Sequence, residues 1–171
     1  MQNSGIIRRI DDLGRVVIPK GIRKSLRIKN GDNLEISYVD DSIIIKKYDQ
    51  MDKFKDIYVG IIDSFSKILG KDILLTNGDV YIYGSGKISN SVVNKEISKD
   101  IGNFMENRCD DLLEGEFCLT SDDKFCGKLF ISPLIVQGDV VGSVILLSKD
   151  ITSSDEATIR GISTFICAYI E

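Results

Sequence analysis

The pattern of apolar and polar residues changes near residue 50. Before that point, short apolar runs are separated by Gly- and Asp-containing turns, which is typical of short β-strands. Strands are predicted over residues 5–10, 15–18, 34–38 and 42–48, with a short helix over residues 20–26 that begins after Pro19. Two hairpins of this size bury too little apolar surface to fold alone, so we expect an obligate homodimer whose strands pair or interleave between chains.

After residue 50, apolar positions recur with helical spacing and longer apolar runs follow. Helices are predicted over residues 52–70, 89–108 and from residue 153 onward, where residues 153–156 form a capping box. Strands are predicted over residues 72–76, 79–83, 125–136 and 140–148, and residues 109–124 are predicted to be irregular. The last helix is expected to point five apolar side chains inward: Ile159, Ile162, Phe165, Ile166 and Tyr169. The fold class is therefore α+β, with domains at residues 1–50 and 51–171 and an antiparallel sheet flanked by helices in the second.

The charge distribution follows the same division of the chain. The whole chain has a net charge of −4, which by itself argues against a nucleic acid partner. Residues 1–29, however, have a net charge of +6, whereas residues 51–171 have a net charge of −7. Five of the seven Arg lie within the first 27 positions, and the Arg guanidinium matches both phosphate oxygens and guanine edges. This favours double-stranded DNA as a partner over the alternative, a solvated surface with ion pairs to Asp11 and Asp12.

The composition excludes several classes of enzyme and metal site. The chain has no His, which removes Ser-His and Cys-His catalysis, and its four Cys include no C-x2-C pair for zinc. No catalytic residue, metal site or cofactor is therefore predicted. No apolar run approaches the ~20 residues of a membrane-spanning helix, and residues 1–9 do not form a signal peptide. We expect a cytoplasmic protein that is not an enzyme and does not contact membranes.

Motifs in both domains resemble known families. The run GIIRRIDDLGRVVIPK at residues 5–20, followed by IRKSL at residues 22–26, resembles the AbrB family of transition-state regulators, and the similarity continues through residues 31–32, 34–36 and 45–48. The run SPLI at residues 132–135 and the run GSVI at residues 142–145, continuing through residues 148–150, resemble a GAF domain. The resemblance implies an N-terminal swapped-hairpin β-barrel, formed by an intertwined dimer, and a C-terminal GAF-like domain. It also implies a sequence-specific DNA-binding transcription factor that activates some genes and represses others late in sporulation.

The resemblance also implies roles for individual residues. In the family, side chains of the strand, the turn and the short helix contact DNA, which implies the following DNA-binding residues here: Arg8, Arg9, Arg15, Arg23, Lys24 and Arg27. Position 24 is Lys where the family often has Arg, and this change keeps phosphate attraction but weakens bidentate base recognition. Pairing of GAF domains would make a homotetramer from two DNA-binding dimers. An unknown small-molecule ligand of the GAF domain would modulate the spacing of the DNA-binding ends.

Alternative functions remain open at this stage. Some GAF domains reduce free methionine sulfoxide with a nucleophilic Cys and a resolving Cys, and Cys109, Cys118 and Cys126 lie in the middle of this domain. Acidic residues flank these Cys, however, and disfavour the thiolate that catalysis needs. An antitoxin with a swapped-hairpin DNA-binding domain fits the first domain but leaves the second without a toxin-binding tail. The second domain has a simpler alternative role, oligomerisation with an interior filled by side chains.

Overall fold

The structure, a computed structural model, describes residues 5–49, 51 and 54–170. The chain divides into two compact units, Met1–Asp49 (unit 1) and Gln50–Glu171 (unit 2). Residue 50, at the expected domain boundary, lies outside the described residues, as do residues 52 and 53 of the first helix predicted after it. In the part of the chain that is described, no helix is long and apolar enough to span a bilayer.

Unit 1 contains one short helix and one β-hairpin. Helix α1 spans Lys20–Ser25 and is preceded by Pro19, whose φ of −58° suits entry into a helix. Strands β1 (Leu34–Val39) and β2 (Ser42–Lys47) pair antiparallel along their whole lengths. The predicted helix and the second predicted hairpin are thus confirmed.

The first predicted hairpin is only partly formed. Neither residues 5–10 nor residues 15–18 form a strand, so these two predictions are wrong for the described chain. The turn between them is present: the Gly14 N–H donates to the Asp11 carbonyl oxygen, with N and O 2.9 Å apart, and Gly14 has a φ of +77°. A strand needs a neighbouring strand for its backbone groups, and the described part of unit 1 offers none to these residues. Their apolar side chains consequently face solvent, with Ile7 at 94% exposure.

Unit 2 is a five-stranded antiparallel sheet between two layers of helices. Its helices are α2 (Lys55–Leu69), α3 (Ser89–Val92), α4 (Lys99–Glu106) and α5 (Ser153–Ile170). Its strands are β3 (Asp72–Asn77), β4 (Tyr81–Ser85), β5 (Asp111–Cys118), β6 (Lys124–Val136) and β7 (Asp139–Ser148). They lie side by side in the order β4-β3-β7-β6-β5, and each neighbouring pair is antiparallel, as predicted.

Alternation of side chains along the strands produces an apolar cluster on each face of the sheet. On one face, Ile62 of α2 and Ile159 of α5 lie in one buried cluster with Phe130 of β6. On the opposite face, Ile101 of α4 lies in a second buried cluster with Ile131 of β6. The hydrophobic core of the described chain therefore belongs to unit 2, whereas α1 of unit 1 buries no residue.

The structure confirms α2, β3, β6, β7 and α5, places β4 later than predicted and corrects the segments between them. Gly70 ends α2 with a φ of +63°, as expected of a glycine after the last turn of a helix. The single helix predicted over residues 89–108 is wrong, because Asn94 has a φ of +67° and a bridge between Val80 and Glu96 separates α3 from α4. The irregular segment predicted over residues 109–124 is also wrong, since it contains β5.

Helix α5 differs from the prediction at both ends. Its cap is Thr152 rather than Ser153: the Asp155 N–H donates to Thr152 Oγ1 (3.4 Å), and the Thr152 N–H donates to Asp155 Oδ2 (2.7 Å). Near the other end, Phe165 and Tyr169 were predicted to point inward but are 44% and 48% exposed. The other three side chains predicted to point inward are buried: Ile159, Ile162 and Ile166.

Candidate nucleic-acid interface

The six predicted DNA-binding residues lie on two segments of unit 1. Arg8, Arg9 and Arg15 flank the turn that contains Gly14, and the others lie on α1 or directly after it: Arg23, Lys24 and Arg27. Five of the six side chains are exposed, and Arg23 is half-buried. Unit 1 thus presents a set of cations to solvent, most of them outside regular secondary structure.

The turn before Arg15 is organised by a single carboxylate. Asp11 Oδ1 accepts the backbone N–H groups of Leu13 (3.0 Å) and Arg15 (2.8 Å). Asp11 Oδ2 accepts the Arg15 Nε–H at 2.7 Å, while 72% of the Arg15 side chain remains exposed. The hydrogen bond from the Arg15 backbone N–H, and to a smaller extent the one from its side chain, holds the pKa of Asp11 below its usual range. Asp11 is therefore ionised at neutral pH and tied to Arg15 by two of its three bonds.

Helix α1 and the residues after it position the second set of cations. The Arg23 terminal nitrogen Nη1 donates to Asn30 Oδ1 at 3.3 Å, and Arg23 Nε is buried with no hydrogen-bond partner among the described residues. Arg27 has a left-handed φ of +54°, and the Ile28 N–H donates back to the Arg23 carbonyl oxygen at 2.8 Å. This left-handed residue ends the helical path after α1, so Arg27 lies outside the helix whereas Lys24 lies within it.

Two lysines of the β-hairpin differ from these cations because they are paired with carboxylates. Lys46 Nζ lies 3.2 Å from a Glu35 carboxylate oxygen, and Lys47 Nζ lies 3.3 Å from one of Asp32. By contrast, the side chains of Arg8, Arg9 and Lys24 have no hydrogen bond or ion pair with any residue that the structure describes. The charge of these three side chains is therefore not compensated by a direct contact within the described chain.

Asp11 is the residue of this site that the sequence analysis did not identify. We considered it only as a partner for surface ion pairs, although Asp followed three positions later by Gly is typical of a turn in which the carboxylate bonds the backbone. Asp12, the neighbouring acid, is exposed and forms no hydrogen bond or ion pair among the described residues. The two acids are therefore not equivalent, a difference that net charge does not reveal.

The four cysteines of unit 2 form no disulfide with one another in the structure. Cys109 and Cys126 are exposed, and Cys118 and Cys167 are half-buried. In the hairpin of β5 and β6, Cys118 lies opposite Lys124, whereas Cys126 lies opposite Glu116. Within residues 5–49, 51 and 54–170, no group of three or more Cys, Asp or Glu could hold a metal ion. Neither cysteine of the β5–β6 hairpin therefore faces another cysteine across the strand pair, as a nucleophilic thiol and its resolving thiol would.

The sheet face below α3 and α4 is filled by side chains of unit 2 itself. Tyr81 is fully buried there and its hydroxyl donates to the Leu119 carbonyl oxygen at 2.9 Å. Burial, together with the charge of Asp123, raises the pKa of Tyr81 above its usual value. Thr76 and Ser143, also buried, share a hydrogen bond of 2.8 Å between their hydroxyl oxygens. The polar groups on this face are therefore satisfied by neighbours within the protein rather than directed at a cavity.

A shallow apolar groove lies on the other side of unit 2, between α2 and α5. Its lining is entirely apolar or aromatic: Phe54, Ile57, Tyr58, Phe165, Ile166, Tyr169 and Ile170. The Tyr169 ring is 5.5 Å from both the Phe54 ring, edge to face, and the Phe165 ring, stacked. We call this surface the α2–α5 groove.

Comparisons with known proteins agree with the division into two units. Residues 50–166 match the family described as "Stage V sporulation protein T C-terminal, transcription factor", and residues 7–53 match the family described as "Antidote-toxin recognition MazE, bacterial antitoxin". The chain is 38% identical over 161 residues to stage V sporulation protein T of Bacillus subtilis (strain 168), covering 91% of this chain and 89% of that protein. It is also 52% identical over 48 residues to the transition state regulatory protein AbrB of the same organism, covering 28% of this chain and 50% of AbrB.

Solved structures identify the fold of the larger part of the chain. The second GAF domain of DevS from Mycobacterium smegmatis aligns with a TM-score of 0.55 at 14% identity, covering 68% of this chain and 91% of that domain. The GAF domain of an Acinetobacter phosphoenolpyruvate-protein phosphotransferase aligns with a TM-score of 0.54 at 12% identity, covering 71% of this chain and 92% of that domain. At this identity the similarity establishes the fold alone, and it confirms the predicted GAF-like domain.

These matches identify the family to which the chain belongs. The similarity to AbrB confirms the resemblance found in the first 48 residues, and the MazE match fits the predicted swapped-hairpin barrel. A match to an antitoxin covers only residues 7–53, whereas the match to the sporulation protein covers nearly the whole chain. The chain therefore belongs to the stage V sporulation protein T family and is a DNA-binding transcriptional regulator of sporulation.

Proposed function

We propose that unit 1 binds double-stranded DNA through six side chains: Arg8, Arg9, Arg15, Arg23, Lys24 and Arg27. The observation that supports this assignment is the lack of compensation at three of them, since Arg8, Arg9 and Lys24 have no partner among the described residues. Such cations gain a charge-assisted hydrogen bond at a phosphate and release the counterions of the DNA. The regulator would use these contacts to activate some late sporulation genes and repress others.

The hydrogen bonds within unit 1 suggest a division of roles among these residues. Among the described residues, the Arg15 side chain bonds only through Nε, so both terminal nitrogens remain for bidentate contact with a guanine edge or a phosphate. Arg23 is half-buried and held by Asn30, which restricts it to one orientation. The exposed and uncompensated Arg8, Arg9 and Lys24 are suited to phosphate oxygens, which position the protein without specifying sequence.

Homodimerisation through unit 1 is supported by the apolar surface of that unit. Residues 5–10 and 15–18 have no strand partner in the described chain, and apolar side chains elsewhere in the unit are also exposed, with Tyr38 at 85% and Ile43 at 75%. Monomers rarely expose so much contiguous apolar surface, and a unit this small is marginal alone. A second copy that supplies the missing strands would bury these side chains and double the number of cations on the assembly.

Unit 2 would then serve assembly and regulation, with domains at residues 1–50 and 51–171. The α2–α5 groove exposes aromatic side chains that a second unit 2 would cover, and such pairing would join two DNA-binding dimers into a homotetramer. Small-molecule modulation has weaker support, because the sheet face below α3 and α4 is filled by buried side chains such as Tyr81. We therefore assign assembly as the main role of unit 2.

The salt dependence of DNA binding tests the proposed interface. A duplex selected by the wild-type protein from a random-sequence library serves as the probe. Loss of one phosphate contact reduces the slope of log binding constant against log salt by ~0.9, so a homodimer that loses one contact in each copy is expected to show a reduction of ~1.8 for Arg8→Ala, Arg9→Ala or Lys24→Ala. Arg15→Ala is expected to weaken binding to the selected duplex by at least about tenfold, because a bidentate base contact is lost.

Lys149 of unit 2 provides a matched control. It is exposed and has no hydrogen bond or ion pair within the described chain, so Lys149→Ala removes a positive charge outside the proposed interface. We expect its affinity and its salt slope to equal those of the wild type. Equal losses in Lys149→Ala and Arg8→Ala would show that only net charge matters and would contradict the proposed interface.

A further inference from the structure

The Asp11 carboxylate, which accepts three hydrogen bonds, places a negative charge in the segment that also carries Arg8, Arg9 and Arg15. An acid near DNA repels phosphate, so its presence in this turn weakens electrostatic attraction. The turn also does not need a charged residue, since a neutral Asn can accept both backbone N–H groups that Asp11 Oδ1 accepts. What only a carboxylate supplies is the second oxygen, which accepts the Arg15 Nε–H at 2.7 Å.

This second carboxylate oxygen determines the orientation of the Arg15 guanidinium relative to the turn. Arg is a long side chain with many rotamers, and a mobile guanidinium loses more freedom on contacting a base edge than a fixed one. With Nε bonded to Asp11, the plane of the guanidinium is held relative to the turn, while neither terminal nitrogen has a hydrogen-bond partner in the part of the chain that is described. This is the end of the group that matches the O6 and N7 acceptors of guanine.

We propose that Asp11 is a positioning residue for sequence recognition, which holds the Arg15 guanidinium ready for a bidentate contact with a guanine edge. This inference rests on the proposed role of Arg15 in DNA binding. Asp11 itself does not touch DNA: it acts through Arg15 and lowers attraction to DNA of any sequence. It therefore exchanges non-specific affinity for discrimination between sequences.

Asp11 and Asp12 form a matched pair for the test. Asp11→Asn and Asp12→Asn each remove one negative charge from the same turn, but only Asp11 contacts Arg15. The measured quantity is the ratio of the Kd for a scrambled duplex to the Kd for the duplex selected by the wild-type full chain. Both variants are expected to bind the scrambled duplex more tightly than the wild type, since each removes a repulsive charge.

The ratio of the two Kd values is expected to differ between Asp11→Asn and Asp12→Asn. Asp11→Asn should lower it about tenfold, the discrimination that one bidentate pair supplies, whereas Asp12→Asn should leave it unchanged within twofold. Asp11→Ser provides a second variant in case the Asn side chain disturbs the turn, because Ser also forms such turns and lacks the second oxygen. Equal ratios for Asp11→Asn, Asp11→Ser and the wild type, with unchanged melting temperatures, would overturn the proposal.

A double-mutant cycle with Arg15→Lys shows whether Asp11 acts through Arg15. Lys keeps the positive charge but has no Nε–H fork, so in this background Asp11→Asn is expected to leave the ratio unchanged. An equal loss in both backgrounds would mean that Asp11 acts by another route, and the inference would fail. If Arg15→Ala changes neither the affinity for the selected duplex nor the salt slope, the proposed role of Arg15 in DNA binding is contradicted. If Arg15→Ala lowers the ratio of Kd values but Asp11→Asn does not, only the positioning role of Asp11 is contradicted.

Discussion

The ion pairs of unit 2 show how the surroundings of a charge determine its contribution to stability. Lys71 Nζ lies 2.6 Å from Asp155 Oδ2, and only 15% and 8% of these side chains are exposed. The same carboxylate oxygen accepts the Thr152 N–H and hydroxyl, each at 2.7 Å. Lys124 and Glu116 are equally close, at 2.7 Å, but more than 60% of each side chain is in solvent. Solvent screens the second pair, so only the first is expected to matter for stability.

Replacing Asp155 is therefore expected to destabilise unit 2. Asp155→Asn leaves the Lys71 ammonium mostly buried without its charge partner and weakens the hydrogen bonds that Asp155 Oδ2 accepts from Thr152, at a cost of about 3 kcal/mol near pH 7. Calorimetric unfolding of the full chain measures this change. Glu116→Gln is the control, and its melting temperature should match the wild type. A melting temperature for Asp155→Asn equal to that of Glu116→Gln would contradict the prediction.

The same carboxylate predicts a pH dependence. Burial by itself would raise the pKa of Asp155, but the hydrogen bonds from Lys71 and Thr152 outweigh it and lower that pKa below the ordinary value. A lowered folded-state pKa stabilises the protein fully above the unfolded-state pKa of ~3.9, and this contribution is lost as the pH falls through the folded-state value. The stability difference between the wild type and Asp155→Asn should therefore be constant from neutral pH down to about pH 5 and shrink in more acidic buffer.

At the scale of the elements, two glycines of unit 2 differ in what surrounds them. Gly142 lies in β7 opposite Asn77, where an added Cβ would overlap the Thr76 carbonyl oxygen and lie against backbone atoms. Gly161 lies within α5, where an added Cβ would meet only open space. The first glycine allows β3 and β7 to approach closely, whereas the second only increases the conformational freedom of the unfolded chain.

Alanine at these two positions is expected to have opposite effects. Gly142→Ala should destabilise unit 2 by about 2–3 kcal/mol, because the backbone of the neighbouring strand must shift. Gly161→Ala should stabilise it by about 1 kcal/mol, the difference in helix propensity between Gly and Ala. Thermal unfolding followed by circular dichroism measures both changes. A gain in melting temperature for Gly142→Ala would show that β3 can move away at little cost.

The elements also show where sequence patterns suffice and where they do not. The apolar stripe of α2 and the long apolar runs of β6 and β7 predict these elements directly, because burial on a regular face imposes a regular period. Strand β5 was not predicted because Glu114, Gly115 and Glu116 interrupt its alternation of apolar and polar residues. It forms because β6 supplies a ladder of hydrogen bonds along its whole length. A strand whose stability comes mainly from its neighbour has a weak pattern of its own.

At the scale of the whole molecule, exposed apolar surface indicates how chains assemble. Phe165 and Tyr169 have helical spacing that predicts burial, yet both are exposed in the single chain and line the α2–α5 groove. The predicted inward face of α5 is thus wider than the sheet of its own unit can cover. A second copy of unit 2 would cover the remainder and account for the spacing.

The proposed homotetramer is expected to be sensitive to charge in the groove. Tyr169→Glu should convert a homotetramer into dimers that still bind DNA, because a carboxylate in a covered apolar surface is strongly unfavourable. Thr164→Glu places the same charge on the exposed surface of the same helix, where Thr164 only donates to the Arg160 carbonyl oxygen. Sedimentation of the full chain measures the mass of each variant. A tetramer for Tyr169→Glu, or a dimer for Thr164→Glu, would contradict the role of the groove.

By itself, the sequence determined the division of charge, the main elements of unit 2 and the resemblance to AbrB regulators. These properties are local: charge is a sum over residues, an amphipathic period repeats within one element, and the motif at residues 5–26 is contiguous. Only the tertiary structure decided which acids are paired, that α3 and α4 are separate, and that β5 is a strand. Each of those depends on a partner elsewhere in the fold. A hydrogen bond between two residues does not produce a repeating pattern of apolar and polar positions, so the sequence does not reveal it.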